Sequence, residues 1–149
     1  MSAPFAPYRK LQKRFREIAL LSSSAELLSW DQETFMPPRA LDWRAEQLAH
    51  LGGLTHRLAT ARSVGDWIKA CEDHGFAPDS DEAVNVRGWR RDYDRATRVP
   101  TRLVEKLERV RALSREAWVR ARREARFELF EPHLKKLVAL QRQLADCWG

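Results

Sequence analysis

Apolar residues recur at every third or fourth position along nearly the whole chain, and this spacing restricts the possible fold more than any other feature. The first segment shows it at Tyr8, Leu11 and Phe15, which share one face of a helix with 3.6 residues per turn. No segment alternates apolar and polar residues over a useful strand length, and no Asn-Gly hairpin signal is present. The sequence predicts an all-α protein, an antiparallel bundle of about five to six helices joined by short turns.

Prolines and glycines divide this pattern into segments. Met36-Pro37-Pro38 must end the first helix, because proline lacks the amide N–H and clashes with the preceding turn. Gly75 is placed to end the third helix, Asp79 is predicted as the N-cap of the fourth, and Pro100 opens the fifth. The length fits one domain, so we expect a single helical domain over residues 1–149.

Gly52 and Gly53 lie inside the second predicted helix, which begins near Pro38. Each glycine costs about 1 kcal/mol relative to alanine in a helix interior. Close approach of a second helix would explain them, and so would a local kink. The sequence leaves both explanations open.

Four histidines are available for metal binding or base catalysis: His50, His56, His74 and His133. Zinc on a helix requires two ligands one turn apart, as in His-Glu-x-x-His. No histidine here is followed by glutamate, and no two are four positions apart. A Gly-rich phosphate loop and a nucleophile elbow are also missing. We therefore expect no catalytic residue, no metal ligand and no cofactor in this chain.

The segment from residue 30 to residue 38, WDQETFMPP, is the most unusual part of the sequence. One interpretation makes Asp31 and Glu33 a carboxylate pair for acid/base catalysis. The other makes Trp30 a buried anchor in a turn, with Asp31 or Thr34 accepting backbone N–H groups. No base partner is visible, so the structural interpretation is favoured for the whole motif: Trp30, Asp31, Gln32, Glu33, Thr34, Met36 and Pro37.

Residues 87–126 carry the positive charge of the chain, with fourteen Lys/Arg against six Asp/Glu. Arginines interleaved with aromatic rings are typical of some nucleic-acid surfaces. The acidic residues among these arginines weaken the attraction to nucleic-acid phosphates, however. Several of the acids also lie one helical turn from an arginine, which is typical of a solvated helix face. These pairs are Glu105–Arg109, Glu116–Arg120 and Asp94–Arg98. The prediction is a solvated or partner-facing helix without a specific nucleic-acid partner.

The sequence also carries predictions about location. No window approaches 18 consecutive apolar residues, so no membrane span is expected. The first residues lack the apolar core of a secretory signal. Cys71 and Cys147 are too few for a disulfide framework and have no CxxC spacing, so a cytoplasmic protein is predicted.

Several motifs together resemble one known family. The segment WDQETFMPPR is followed by further matching elements in the family's order: Arg44–Ala49, His56 with Thr60, Arg90–Pro100, Trp118–Arg122 and Phe130–Leu134. The chain is similar over essentially its whole length to the N-terminal region of the carboxypeptidase Taq family, metallopeptidase family 32. The first motif is long enough to be specific.

The resemblance implies an almost wholly helical enzyme that removes C-terminal residues from peptides with zinc or another divalent metal. In that family the metal ligands and the catalytic glutamate come from a His-Glu-x-x-His helix and a later glutamate. No position in this chain matches them. The resemblance therefore implies the helical region that walls or lids a substrate groove, either as an excised piece or as a short relative. Whether the chain is an enzyme stays open.

Three functions follow as hypotheses. The first is a non-catalytic, lid-side domain that meets peptide substrate only in a full-length context. The second is a free-standing, self-associating interaction module, and the third is a nucleic-acid-binding domain that uses residues 87–126. Apolar rows left without cover would favour a homodimer or the missing catalytic portion as partner. Four residues are predicted to form these rows: Leu20, Leu27, Leu140 and Trp148.

Overall fold

The helical spacing of the sequence is realised as six α-helices in a computed structural model that describes residues 5–149. The helices are α1 (Ala6–Thr34), α2 (Leu41–Ala59), α3 (Arg62–His74), α4 (Asp81–Ala96), α5 (Thr101–Arg123) and α6 (Glu131–Asp146). Two short 3₁₀ turns, Pro38–Ala40 and Phe127–Leu129, precede α2 and α6. Within the described residues there is no strand, and the all-α prediction is confirmed. Residues 1–4 of the predicted domain lie outside the described residues.

The helices pack in a chain of pairs rather than around one centre. The long helix α5 packs against α2 and α6, while α1 packs against α2 and α3, and α3 against α4. One apolar cluster joins α1, α3 and α4: Tyr8, Leu11, Val64, Ile68, Cys71 and Val86. A second joins α5 and α6, and a third, built from alanines and leucines, joins α1, α2 and α5. The core is therefore divided into three parts.

A divided core leaves a large surface. The accessible surface of the chain is 10150 Å², whereas a compact monomer of this mass exposes about 7,900 Å². Leu20, Leu27 and Trp148 contribute to the exposed apolar area, as predicted. The prediction for Leu140 is wrong: its side chain is 3% exposed, because it faces α5 and completes the cluster around Leu107.

The glycine pair of α2 marks a close approach of α5. The helix continues unbroken from residue 41 to residue 59. A Cβ atom on Gly53 would lie 2.6 Å from Glu105 Cγ, and one on Gly52 would lie 2.9 Å from Glu108 Cγ. These distances are too short for side chains, so the absence of side chains at Gly52 and Gly53 lets α5 pack closely on α2.

The start of α4 differs from the prediction by one residue. Ser80, not Asp79, is the N-cap, and its Oγ accepts a hydrogen bond from the Ala83 backbone N–H at 3.2 Å. The shift places Asp81 and Glu82 in the first turn. Their charges are favourable there, because the helix dipole presents its positive end.

Two helices end in a left-handed residue, one glycine and one alanine. Gly75 ends α3 with φ of 69°, as predicted. After α5, Ala125 adopts φ of 50°. The Arg126 N–H donates to the Ala121 carbonyl at 2.9 Å and the Ala125 N–H to the Arg122 carbonyl at 3.3 Å. This is a Schellman motif with alanine in the position that glycine usually takes.

Replacing Ala125 with glycine should therefore stabilise the protein. The left-handed conformation costs a residue with Cβ about 1 kcal/mol that glycine does not incur. We expect Ala125→Gly to raise the free energy of unfolding by about 1 kcal/mol in urea titration. Gly75→Ala is the matched control and should lower it by a similar amount. A loss of stability in Ala125→Gly would contradict this account.

Candidate functional site

The motif of residues 30–37 does not form a free turn. Residues 30–34 are the last turn of α1, and the helix ends only at Thr34. The Phe35 and Met36 N–H groups both donate to the Asp31 carbonyl, at 3.0 and 2.9 Å. Pro37 and Pro38 then prevent the helix from continuing. The helical conformation rotates successive side chains by about 100°, so neighbouring motif residues point to different helices.

Asp31 faces α2 and pairs with a buried arginine. The Arg44 Nη2 atom donates to Asp31 Oδ2 at 2.6 Å, and its Nε donates to Gln47 Oε1 at 3.1 Å. The Arg44 Nη1 atom donates to the Leu28 carbonyl of α1. Arg44 is 9% exposed, and a buried guanidinium requires such partners. Asp31 supplies the opposite charge and ties the end of α1 to α2.

Gln32 and Glu33 face α5 instead. The buried Gln32 amide donates from Nε2 to the Ala112 carbonyl at 2.9 Å, and Glu33 Oε1 pairs with Arg115 at 2.5 Å. The two acids of the motif therefore contact arginines on different helices. The sequence interpretation had Asp31 or Thr34 accepting backbone N–H groups, and in the structure the Thr34 hydroxyl instead donates to the Trp30 carbonyl at 2.9 Å. Asp31, likewise predicted as an acceptor of backbone N–H groups, accepts from the Arg44 side chain.

Trp30 is not the buried anchor that the sequence predicted. Its side chain is 56% exposed and makes an edge contact with the exposed Phe35 ring, with centroids 5.7 Å apart. The reason lies in the helical register, since Trp30 and Leu27 are three positions apart and share the outward face of α1. The large aromatic residue thus points away from α2 and α5.

We expect Trp30→Ala to lower the free energy of unfolding by less than about 1 kcal/mol, since little packing is lost at an exposed position. Denaturant titration with circular dichroism measures the change. Phe35→Ala is a suitable control, because it removes the other ring of the same pair. A loss of about 3 kcal/mol, typical of a buried aromatic residue, would contradict the exposed position.

His56 connects α2 to the junction of α4 and α5. Its Nε2 lies 3.1 Å from the Ala96 carbonyl, and its Nδ1 lies 3.0 Å from Thr101 Oγ1. A carbonyl only accepts, so Nε2 carries the hydrogen, and in the neutral ring Nδ1 accepts from the Thr101 hydroxyl. Both nitrogens make hydrogen bonds that join α2 to the ends of α4 and α5. The spacing of the histidines in the sequence did not reveal this role.

The other two histidines with described contacts lie on different helices, His74 on α3 and His133 on α6. The His74 ring stacks on Phe5 with centroids 4.2 Å apart. His133 Nδ1 lies 3.4 Å from Ser114 Oγ, and burial lowers the pKa of His133, with smaller contributions from the positive charges of Lys136 and Arg120. Among residues 5–149 no three His, Cys, Asp or Glu side chains are grouped so that they could hold a metal ion. The described donors do not fit a divalent metal site.

The basic stretch uses many of its charges within the protein. The predicted pairing of Glu105 with Arg109 along α5 is wrong: Arg109 pairs with Glu46, and Glu105 pairs with Arg57 at 2.8 Å. Both contacts join α5 to α2, because the glycine pair brings these helices close.

The remaining predicted pairs also differ from the structure. Asp94 pairs with Arg90 at 3.4 Å, the arginine one turn before it, rather than with Arg98. Arg98 instead donates from Nη1 to the Trp148 carbonyl at 3.2 Å. Glu116 and Arg120 do not appear among the ion pairs of the described residues, although both line one cleft with His133.

A leucine-lined cleft of about 590 Å³ runs between α1 and α2. Leu20, Leu21, Leu54 and Leu58 form its apolar surface, and Lys13, Arg16 and Glu17 lie at its rim.

Across the described helices, none combines the length and the apolar character that a membrane crossing requires.

Comparison with known proteins assigns the chain to a family. A sequence model of the carboxypeptidase Taq (M32) metallopeptidase family matches residues 10–149. The chain belongs to this family. Among its relatives, Thermostable carboxypeptidase 1 of Thermus thermophilus is 37% identical over 145 residues, which are 96% of this chain and 28% of that protein. The resemblance predicted from the sequence is confirmed.

Solved structures share the fold of this chain. The M32 carboxypeptidase from Deinococcus radiodurans R1 superposes with a TM-score of 0.71 at 31% identity, over 97% of this chain and 29% of that one. The BsuCP structure superposes with a TM-score of 0.92 at 19% identity, over 97% of this chain and 29% of that one. At this level of identity the similarity shows a shared fold and nothing more. The chain thus spans less than a third of the length of each of these matching proteins.

Proposed function

We propose that this chain forms the N-terminal, lid-side helical region of a metal-dependent carboxypeptidase and does not cleave peptides by itself. The observation that carries the proposal is the family match over residues 10–149 together with the 28% of the Thermus thermophilus relative that is covered. In this proposal the zinc or other divalent metal and the peptide substrate belong to the complete enzyme. The present chain contributes the wall of the substrate channel.

Within this proposal, residues 30–37 have a structural role. Asp31, Gln32 and Glu33 each contact a different partner on α2 or α5, and each acid is neutralised by an arginine. A carboxylate pair for acid/base catalysis needs two groups that face a common substrate position. We infer that the motif fixes the end of α1 and so sets the direction in which α2 continues.

A chimaera with the Thermus thermophilus relative tests the proposal. The region of that protein that matches this chain is replaced by residues 1–149, and release of C-terminal residues from peptides is measured with zinc present. We expect activity from the chimaera and none from this chain or from the remainder of the relative alone. Metal-dependent release of C-terminal residues by this chain alone would disprove the proposal.

A second candidate is self-association as a homodimer. It is favoured by the surface of 10150 Å² and by Leu20 and Leu27 of α1, whose side chains are exposed. Exposed apolar patches of this kind are typical of interfaces, and two identical helices offer a self-complementary twofold contact. We propose a homodimer at micromolar concentration, and sedimentation equilibrium measures it. A monomer at high concentration would contradict this candidate.

The proposal includes a cytoplasmic location and no specific nucleic-acid partner. Cys71 is buried and Cys147 half-buried, both as free thiols, which is favoured in a reducing compartment. Arg57, Arg90 and Arg109 each pair with a carboxylate, which leaves fewer positive charges for phosphates. Binding of duplex DNA that disappears at moderate salt is therefore the expected result in a titration, and sequence-selective binding near physiological salt would contradict it.

A further inference from the structure

A second cleft, of about 430 Å³, opens at the C-terminal end of α5. Its lining combines three aromatic rings and two guanidinium groups: Trp118, Phe127, Phe130, Arg122 and Arg126. Trp118 and Phe127 are exposed, so their rings are accessible to a ligand. The cleft is separate from the motif of residues 30–37 and from the leucine-lined cleft between α1 and α2.

The turn after α5 builds this cleft. The Schellman motif at Ala125 reverses the chain, and the Phe130 N–H donates to the Phe127 carbonyl at 2.8 Å in the following 3₁₀ turn. As a result the two phenylalanines line the same cleft as Trp118 of α5. Ala125, also in the lining, is the one non-glycine residue with positive φ among residues 5–149. Such strained residues are concentrated at ligand sites.

The charges of the cleft favour an anion. The Arg122 guanidinium lies 5.4 Å from the centroid of the Trp118 ring, and the carboxylate paired with Arg126 is that of Glu124, at a long 3.8 Å. The lining residues include no Asp or Glu. The C-terminal end of a helix disfavours an anion, so any negative charge here must be neutralised by the two arginines.

We propose that this cleft binds an aromatic carboxylate, with its ring against Trp118 and Phe127 and its carboxylate on Arg122 and Arg126. The volume lies in the range of about 300–1,000 Å³ that is typical of small-molecule sites. A simple anion would leave the rings without contacts, and a neutral aromatic compound would leave the guanidinium groups without a partner. A planar carboxylate can accept two parallel hydrogen bonds from one guanidinium group. The site does not depend on the peptidase proposal.

Titration of the isotope-labelled chain with N-acetyl-L-phenylalanine tests the site by NMR. We expect the largest amide shifts between residues 118 and 130, and binding about tenfold tighter than that of the corresponding amide, which lacks the charge. Acetate, which lacks the ring, should shift these amides far less at the same concentration. Equal binding of acid and amide would overturn the proposal, and so would shifts centred on the leucine-lined cleft.

Variants locate the binding groups. Arg122→Gln and Trp118→Ala should each weaken binding of the acid about tenfold, and thermal melting checks that both variants fold. Arg95→Gln is the matched control, because Arg95 lies over the Trp148 ring at 5.3 Å in a similar pair outside the cleft. It should bind like the unaltered chain. Unchanged binding in Arg122→Gln, or an equal loss in Arg95→Gln, would show that the cleft is not the site.

Discussion

Asp31→Ala should lower the free energy of unfolding by about 3 kcal/mol. The substitution removes the carboxylate that faces the Arg44 guanidinium at 2.6 Å and leaves a charge on a side chain that is almost wholly buried. An uncompensated buried charge costs about 3–5 kcal/mol, and the partly exposed position of Asp31 places the effect at the lower end. Urea denaturation followed by circular dichroism measures the change.

Two further variants separate the charge effect from a general loss of contacts. Glu33→Ala removes the neighbouring acid, whose partner Arg115 is exposed, so the loss should stay below about 1 kcal/mol. The double variant Asp31→Leu/Arg44→Met removes both charges and should recover much of the stability, because apolar side chains of similar volume replace buried ion pairs well. Equal losses in Asp31→Ala and Glu33→Ala would contradict the role of the Arg44 pair.

The fold could be predicted from the sequence because its signals are local. Helix spacing, prolines and the glycine at residue 75 act within a few positions, and they predict the end of the first helix, the end of the third and the start of the fifth close to where the structure has them. The error at Ser80 is of the same local kind. Asp79 and Ser80 are both good N-caps, and only the structure decides between adjacent candidates.

The partners of the motif could not be predicted, because they lie far away in the sequence. Gln32 contacts the Ala112 carbonyl, 80 positions away, and His56 contacts Thr101, 45 positions away. Trp30 shows the same limit. Its size suggested burial, but exposure depends on which face of α1 meets α2 and α5, and nothing in the segment itself encodes that.

The aromatic cleft was hidden for a related reason. In the sequence, Trp118 belongs to the basic stretch of residues 87–126, and Phe127 and Phe130 follow that stretch. Their convergence depends on the left-handed conformation of Ala125, and an alanine carries no turn signal comparable to that of glycine. The turn at Ala125, and with it the aromatic cleft, could therefore not be predicted from the sequence.

Leu11→Ala should lower the free energy of unfolding by about 3–4 kcal/mol, the largest decrease among these variants. The effect should be concentrated in the part of the protein that contains α3 and α4. Leu11 is 0% exposed and lies in the cluster with Val64 and Ile68, so the substitution leaves a cavity that rigid neighbours fill poorly. Leu27→Ala on the same helix is the control, because its side chain is exposed and the expected change is below about 1 kcal/mol.

The divided core makes the location of this loss as informative as its size. The cluster around Leu11 holds α3 and α4 against α1, while α2 packs mainly on α5 and α1 through other residues. Leu11→Ala should therefore increase amide hydrogen exchange in α3 and α4 far more than in the α2–α5 pair. If amide exchange instead accelerated equally in all helices, the three clusters would unfold as one unit. That result would contradict the expectation that the cluster around Leu11 can open separately from the other two.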